Sequence, residues 1–283
     1  MLKLKKLFED ADASKMDPNR FPMKLSAVDK ATASKVTASG DKDGDENDDV
    51  IQVNAKTHPV AKLKPSQSSM NIDKAMGMAL SMILGKMDTG GDLGAFISND
   101  MHIMDGHHRW VATAMVDPSK EVGGYQVEFP GKELIAVLNA LTKGQYGVDT
   151  GKPATGGFDQ FKEAPIRKAL DGYMKKGSEH LKPEDVEKAV TEFGGGVDGT
   201  VQKFVDNISK LSFKLPAGAP TREDMPVIDE PDVPKTVSAL KGGYVDVSEP
   251  YASAEESFKK RGSKLNESIN KNRWKKIANI KRK

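Results

Sequence analysis

The chain has 283 residues, 30% of them charged and 6% aromatic, with a formal net charge of +2. It contains no cysteine, which excludes disulfides, thiolate metal sites and cysteine nucleophiles and suits a cytoplasmic protein. No run approaches the roughly 18 apolar residues of a membrane-spanning helix, and the basic opening Met1–Asp10 lacks the apolar stretch of a signal peptide.

The charge is balanced overall but not locally. From Phe258 to Lys283 there are eleven Lys/Arg against one acid, Glu267, so the other 257 residues carry a net −8. A basic tail on an acidic body selects nucleic acid or an acidic protein face as partner, ahead of an anionic membrane. Lys259, Lys260, Arg261, Arg273, Lys275 and Lys276 are its nucleic-acid candidates.

Residues 1–55 are expected to form a largely flexible acidic arm, since Lys35–Val50 is polar and interrupted by glycine. Its row Asp41, Asp43, Asp45, Asp49 invites comparison with a calcium loop. Such a loop needs Gly at its sixth place and Glu at its twelfth, where this chain has Glu46 and Gln52. A solvated linker is the expectation.

Order is expected to begin near Ile51–Val53, and a domain is expected over 56–148. His58–Lys64 alternates like a short strand before a turn at Pro65. Asn71 or Asp73 then caps a helix with apolar residues at Ile72, Ala75, Met76, Ala79, Met82, Ile83 and Met87. The methionines read as core filling. Gly85–Gly94 ends that helix. Ala95–Ile97 and Met101–Met104 flank Ser98-Asn99-Asp100, a hairpin pattern with Asn or Asp in the turn. A helix over Val111–Val116, a strand over Gly123–Phe129 and a helix over Lys132–Leu141 follow. The order β–α–β–β–α–β–α predicts a small α+β domain with a mixed sheet.

Residues 156–213 form a helical region in three pieces: Phe158–Lys175, Pro183–Phe193 and Thr200–Leu211. Pro183 suits a first helical position, and Gly194-Gly195-Gly196 separates the last two pieces. A helix-turn-helix is one reading of that pair, a plain helical hairpin the other. The last piece offers a groove only Lys203 and Lys210. Residues 214–253 hold six prolines and read as an extended connector, and 254–283 as a basic amphipathic tail.

The chemistry concentrates at Asp105-Gly106-His107-His108-Arg109-Trp110. A strand exit, a glycine and a helix start coincide there. The first amides of a helix lack partners and its dipole is positive at that end, so the junction suits an anion. Gly106 permits close approach of the backbone, and Arg109 adds a planar fork for phosphate oxygens. His107 and His108 can move a proton near neutral pH, and Asp105 can hold Mg²⁺ or take a proton. The structural alternatives are a surface arginine, a core histidine and a capping aspartate. His102, Asp105 and His107 also stand close enough for a cation, but their spacing matches no zinc signature, and no metal site is assigned.

Residues 58–145 resemble the ParB/sulfiredoxin superfamily, through Val60-Ala61-Lys62-Leu63-Lys64-Pro65-Ser66, the helix Ile72–Met87, the hairpin into Met104, and the six-residue motif. The Asp-Gly-His-His-Arg form looks like that of ParB-like proteins of tailed phages, as does Arg222-Glu223-Asp224-Met225-Pro226-Val227-Ile228. The resemblance implies a ParB/sulfiredoxin-like sheet with helices and a turn that grips nucleotide phosphates. Gly106, His108 and Arg109 would then bind phosphate, joined by Lys74 and Ser81, which match a lysine opening the preceding helix and a hydroxyl near its end. Asp105 and His107 would carry any catalysis. The implied ligand is a nucleoside triphosphate, ATP or CTP, with Mg²⁺.

The departures narrow the activity. Without cysteine, sulfinic-acid repair is excluded. Partition ParB proteins resemble Gly-Glu-Arg-Arg at this turn, where His-His stands here, so a CTP-driven DNA clamp is not expected. Free serine kinases of the superfamily have an Asp-Gly-His-Thr-Arg-like turn, which is closer and implies phosphoryl transfer or NTPase activity. Three functions follow as rivals. The first is a nucleotide-dependent enzyme in the host cytoplasm. The second is a DNA-binding or nuclease-like protein using the tail. The third is a structural phage protein, in the virion, docking other phage proteins.

Overall fold

The computed structural model describes residues 24–28, 50–132, 134–136, 138–139, 156–211, 218–225 and 244–246. Its centre is a six-stranded mixed sheet, and helices pack on it, so the class is α+β. The strands are β1 (Val50–Pro59), β2 (Lys64–Pro65), β3 (Gly91–Ser98), β4 (His102–Asp105), β5 (Glu121–Val127) and β6 (Tyr244–Asp246). Their spatial order is β2-β4-β3-β5-β1-β6. β2 runs parallel to β4 and β3 parallel to β5; the other neighbours are antiparallel.

Helix α1 (Ile72–Ile83) starts where the sequence expects, and its cap is Asn71, whose side chain accepts the Lys74 amide at 3.1 Å. Helix α2 (His107–Val116) follows β4 directly. Then come α3 (Glu163–Lys176), α4 (Pro183–Gly194) and α5 (Val197–Ser209). A further helical segment lies within 131–139.

The two faces of the sheet bury separate clusters, because side chains alternate along each strand. Ala95, Ile97, Ile103 and Val122 pack under α1 and α2, in one cluster that continues through Phe161, Ile166, Leu170, Val186, Val201 and Phe204. Val53, Met104 and Val127 pack on the opposite face against Leu134, Ile135 and Met225. Trp110 is fully buried in the first cluster, and its indole N–H donates to Val60 O at 3.0 Å.

The three later helices therefore share their core with α1 and α2. Asn207 on α5 donates to the carbonyls of Met115 and Val116 at the end of α2. The exposed side of α5 carries Asp198 and Asp206 beside Lys203 and Lys210. Arg167 of α3 engages that Asp198, and Lys203 donates to Phe193 O. A DNA-reading helix needs a cationic outer face, and that of α5 carries as many carboxylates as lysines, which does not favour the helix-turn-helix reading over the plain helical hairpin.

Several expected boundaries shift. β1 begins at Val50, within the stretch assigned to the flexible arm, because Val53 pairs with Val127 and Val50 with Asp246. Upstream, Leu25 and Val28 are buried as well. The alternating stretch His58–Lys64 splits into the end of β1, a 3₁₀ turn at Val60–Lys62 and the start of β2. The hairpin turn forms, but its left-handed residue is Met101 at φ 72°. Asp100 serves through its side chain instead, accepting from Ser98 Oγ at 2.5 Å and Gly131 N at 2.8 Å. The proline-rich connector supplies both β6 and a segment, 218–225, that packs on the domain. The remainder of the acidic arm and the basic tail, with its six candidate residues, lie outside the described residues.

Candidate functional site

β4 ends at Asp105 and α2 begins at His107, so a single residue makes the turn. Gly106 takes φ 99°, and a Cβ there would lie 3.2 Å from the Ala95 Cβ. Both facts select glycine. No side chain caps α2. The amides of its first turn are therefore without intrahelical acceptors, and the positive end of the helix faces a cleft.

The cleft measures about 240 Å³. Asp105, Gly106, His107, His108 and Arg109 line it from the turn, and Lys74 and Met78 from α1. Met104 lines it too. Strict alternation would turn Met104 and Asp105 to opposite faces; the register shift opposite Phe96 lets both reach the cleft. Gln67 closes one side, with its amide donating to Ser69 O at 2.9 Å.

The last wall comes from far along the chain. Arg222 and Met225 line the cleft. Their segment is tied to the loop before α1: Ser68 N donates to Pro220 O at 2.8 Å, and Arg222 N donates to Ser69 Oγ at 2.7 Å. Asn139 reaches the same segment through Asp224 O at 3.4 Å.

The two histidines act inward. His107 is buried, and its Nε2 accepts the Ser66 amide at 3.2 Å. His108 Nε2 accepts the Asn71 amide at 3.2 Å. Burial pushes the His107 ring down to about 3, with His108 and Arg222 adding to the effect. Burial also pushes His108 down to about 4, helped by Lys74 and Arg222. Both rings are neutral at pH 7, with the proton on Nδ1. They fasten the turn to the loop that starts α1, and their outer nitrogens are already used.

The cations are in the opposite condition. Lys74, Arg109 and Arg222 line one cleft, and none forms an ion pair among the described residues. Three like charges beside a helix N-terminus repel one another, and an anion relieves them. Asp105 is the one carboxylate in the lining.

The structure thus brings together Asp105, Gly106, His107, His108, Arg109 and Lys74 from the sequence-derived set. Ser81 is not in the lining; its hydroxyl donates to Gly77 O at 2.8 Å within α1. His102 sits at the far end of β4, with Nδ1 3.1 Å from Asp100 Oδ2. It shares no cation position with Asp105 and His107. Among the described residues no group of three His, Cys, Asp or Glu side chains could hold a metal ion.

Sequence reasoning passed over Gln67, Met78, Met104, Met225 and above all Arg222. Arg222 opens a stretch that stood out by its resemblance to phage chains, but its prolines placed it in a connector. No family model, curated protein or solved structure matches the chain. No helix among the described residues is long and apolar enough to cross a membrane.

Proposed function

We propose that this chain is a ParB/sulfiredoxin-like nucleotide-binding protein that takes a nucleoside triphosphate, ATP or CTP, at the start of α2. The observation that carries this reading is the convergence of Lys74, Arg109 and Arg222 on an uncapped helix start opened by Gly106. Phosphate is the biological anion best matched to backbone amides with bidentate guanidinium groups. The cleft is smaller than the roughly 300–1,000 Å³ usual for whole ligands. On this reading the cleft takes the phosphates and leaves the nucleoside at its mouth.

His108 contributes its Nδ1–H, since Nε2 holds Asn71. His107 acts as a buried support of the turn rather than as a general base, since Nε2 holds Ser66. A lone carboxylate suits Mg²⁺ that arrives with the phosphates, because that ion keeps several waters and needs only one or two protein carboxylates. Asp105 is the residue that would hold it, and Mg²⁺ would supply charge neutralisation at the phosphates. Any hydrolysis or transfer would centre on Asp105.

The test is equilibrium binding of ATP, CTP, GTP and ADP with Mg²⁺ to the full chain, with released phosphate followed in the same samples. Saturable binding that weakens about 10- to 100-fold in Arg109→Ala supports the reading. No binding at millimolar nucleotide overturns it. DNA binding through the tail rests on sequence charge alone and is separable by deleting 258–283.

A further inference from the structure

We propose that the side-chain carbonyl of Gln67 is a ligand contact that accepts a hydrogen bond from a protonated phosphate oxygen, so that the cleft prefers a phosphate carrying a proton over a fully ionised anion of the same shape and charge. The inference rests on the nucleotide reading above and names the form of phosphate that the site takes.

Gln67 is only 4% exposed, and it lines the cleft. Its amide nitrogen donates to Ser69 O at 2.9 Å. A backbone carbonyl can only accept, so the nitrogen must face it and the orientation of the carboxamide is fixed. The other end, Oε1, has no hydrogen-bond partner among the described residues. A buried acceptor without a donor costs free energy, and a ligand that brings the donor relieves it.

The loop around Gln67 is held on both sides of it. Ser66 N donates to His107 Nε2 at 3.2 Å, and Ser68 N to Pro220 O at 2.8 Å. Ser69 Oγ accepts Arg222 N at 2.7 Å, and Asn71 N donates to His108 Nε2 at 3.2 Å. The carboxamide is thus carried by a loop tied both to the first turn of α2 and to the Arg222 segment. Lys74, Arg109, Arg222 and the α2 amides are all donors to an anion. Oε1 is an acceptor among them, and an ionised oxygen offers it only lone pairs. A protonated oxygen offers it an O–H. Within a triphosphate only the terminal group has a second ionisation near neutral pH, as a phosphate monoester has. Gln67 therefore favours the terminal phosphate at the start of α2, with the nucleoside directed outward. Asp105 is the other acceptor side chain of the turn, but it is exposed at the end of β4.

The experiment uses hydrogen phosphate and sulfate as probes. In mildly alkaline buffer both are tetrahedral dianions, and they differ by the one proton that phosphate carries. Each competes against ATP for the full-length chain at constant ionic strength, with wild type, Gln67→Met, Gln67→Glu and Asp105→Asn, and each variant is melted. Wild type should prefer phosphate to sulfate by about 10-fold, the worth of one good hydrogen bond. Gln67→Met, of similar length but without the acceptor, should bring the two anions level. Gln67→Glu should bind both more weakly and still prefer phosphate, since its carboxylate accepts the proton and repels sulfate. Asp105→Asn should keep the preference. Equal competition by the two anions in wild type overturns the inference, as does ATP binding that neither anion displaces. A preference that survives in Gln67→Met, or that is lost in Gln67→Glu or in Asp105→Asn, overturns it too. In each of these cases ATP still binds and the nucleotide site stands. If ATP does not bind wild type at all, both the site and the inference fall.

Discussion

His108 receives the backbone amide of Asn71 on its Nε2 at 3.2 Å, so the first turn of α2 and the residue that caps α1 are directly joined. His107 makes the parallel link to Ser66. The pair of histidines therefore couples the two helix starts that flank the cleft. Their neutrality is a condition of that link, because a protonated Nε2 cannot accept an amide.

A pH dependence of stability follows. The ordinary histidine value is about 6.5. In the folded chain His107 is held at about 3 and His108 at about 4, each first by burial. The unfolded chain thus takes up the protons first as pH falls. Stability is full above pH 6.5 and declines through the window from 6.5 towards 4, by at most about 1.4 kcal/mol per pH unit for each ring. His58, lowered by burial and by Lys56, acts in the same direction. Urea midpoints between pH 4.5 and 8 should show the decline. His107→Gln, which keeps an acceptor but cannot titrate, should make the decline shallower while His108 and His58 still contribute. A flat profile in wild type would contradict the neutral-histidine link.

Gly106→Ala should be costly at two levels. The left-handed conformation alone costs a non-glycine residue about 1–2 kcal/mol, and the new methyl would crowd Ala95. The turn should shift to relieve this, lowering the melting temperature and removing nucleotide binding together. Preserved binding at wild-type affinity would count against the turn as the phosphate cradle.

Gly124 and Gly172 should respond in opposite directions to alanine. A Cβ at Gly124 would run into the backbone carbonyl of Ala95, at the register shift between β3 and β5. Gly124→Ala should cost about 3 kcal/mol or prevent folding. Gly172 is exposed in the middle of α3 with open space around it. Gly172→Ala should add about 0.5–1 kcal/mol through helix propensity. Chemical denaturation of the two variants tests both.

Asp100 organises the β3–β4 turn. Burial raises its carboxyl, but bonds from His102, Ser98 and the Gly131 amide outweigh this and hold it well below the usual carboxylate range. Its contribution is present above the unfolded value and is lost as pH falls below about 3.8. The side chain is 41% exposed. Asp100→Asn should therefore cost about 1 kcal/mol, less than a fully buried charged bond would. It should leave nucleotide binding unchanged, because Asp100 lies at the other end of β4 from the cleft.

The parts of this fold that were legible in the sequence are those governed by local periodicity. The apolar spacing of Ile72, Ala75, Met76 and Ala79 gave α1, and Asn71 its cap. Pro183 with Glu184 and Asp185 marked the start of α4. What stayed hidden depends on contacts between distant segments. The run Val60–Leu63 alternates enough to read as a strand, but Val60 N bonds to Lys120 O and the chain turns there. The positive φ fell on Met101, whose residue type carries no turn signal. The same holds for the site. Asp105 to Arg109 are contiguous, so their shared place at one turn could be read directly. Arg222 stands over a hundred positions further on, and only the folded chain brings it to the same cleft. The inward use of both histidines was invisible too, since nothing in His-His announces that Ser66 and Asn71 supply their partners.

The most direct test of a phosphate site at the start of α2 is a backbone NMR titration of the full chain with ATP and Mg²⁺. The account predicts that the largest shifts fall on the amides of Gly106, His107, His108 and Arg109, with smaller ones at Lys74 and Arg222. Shifts confined to residues 258–283, or none at saturating nucleotide, would contradict it.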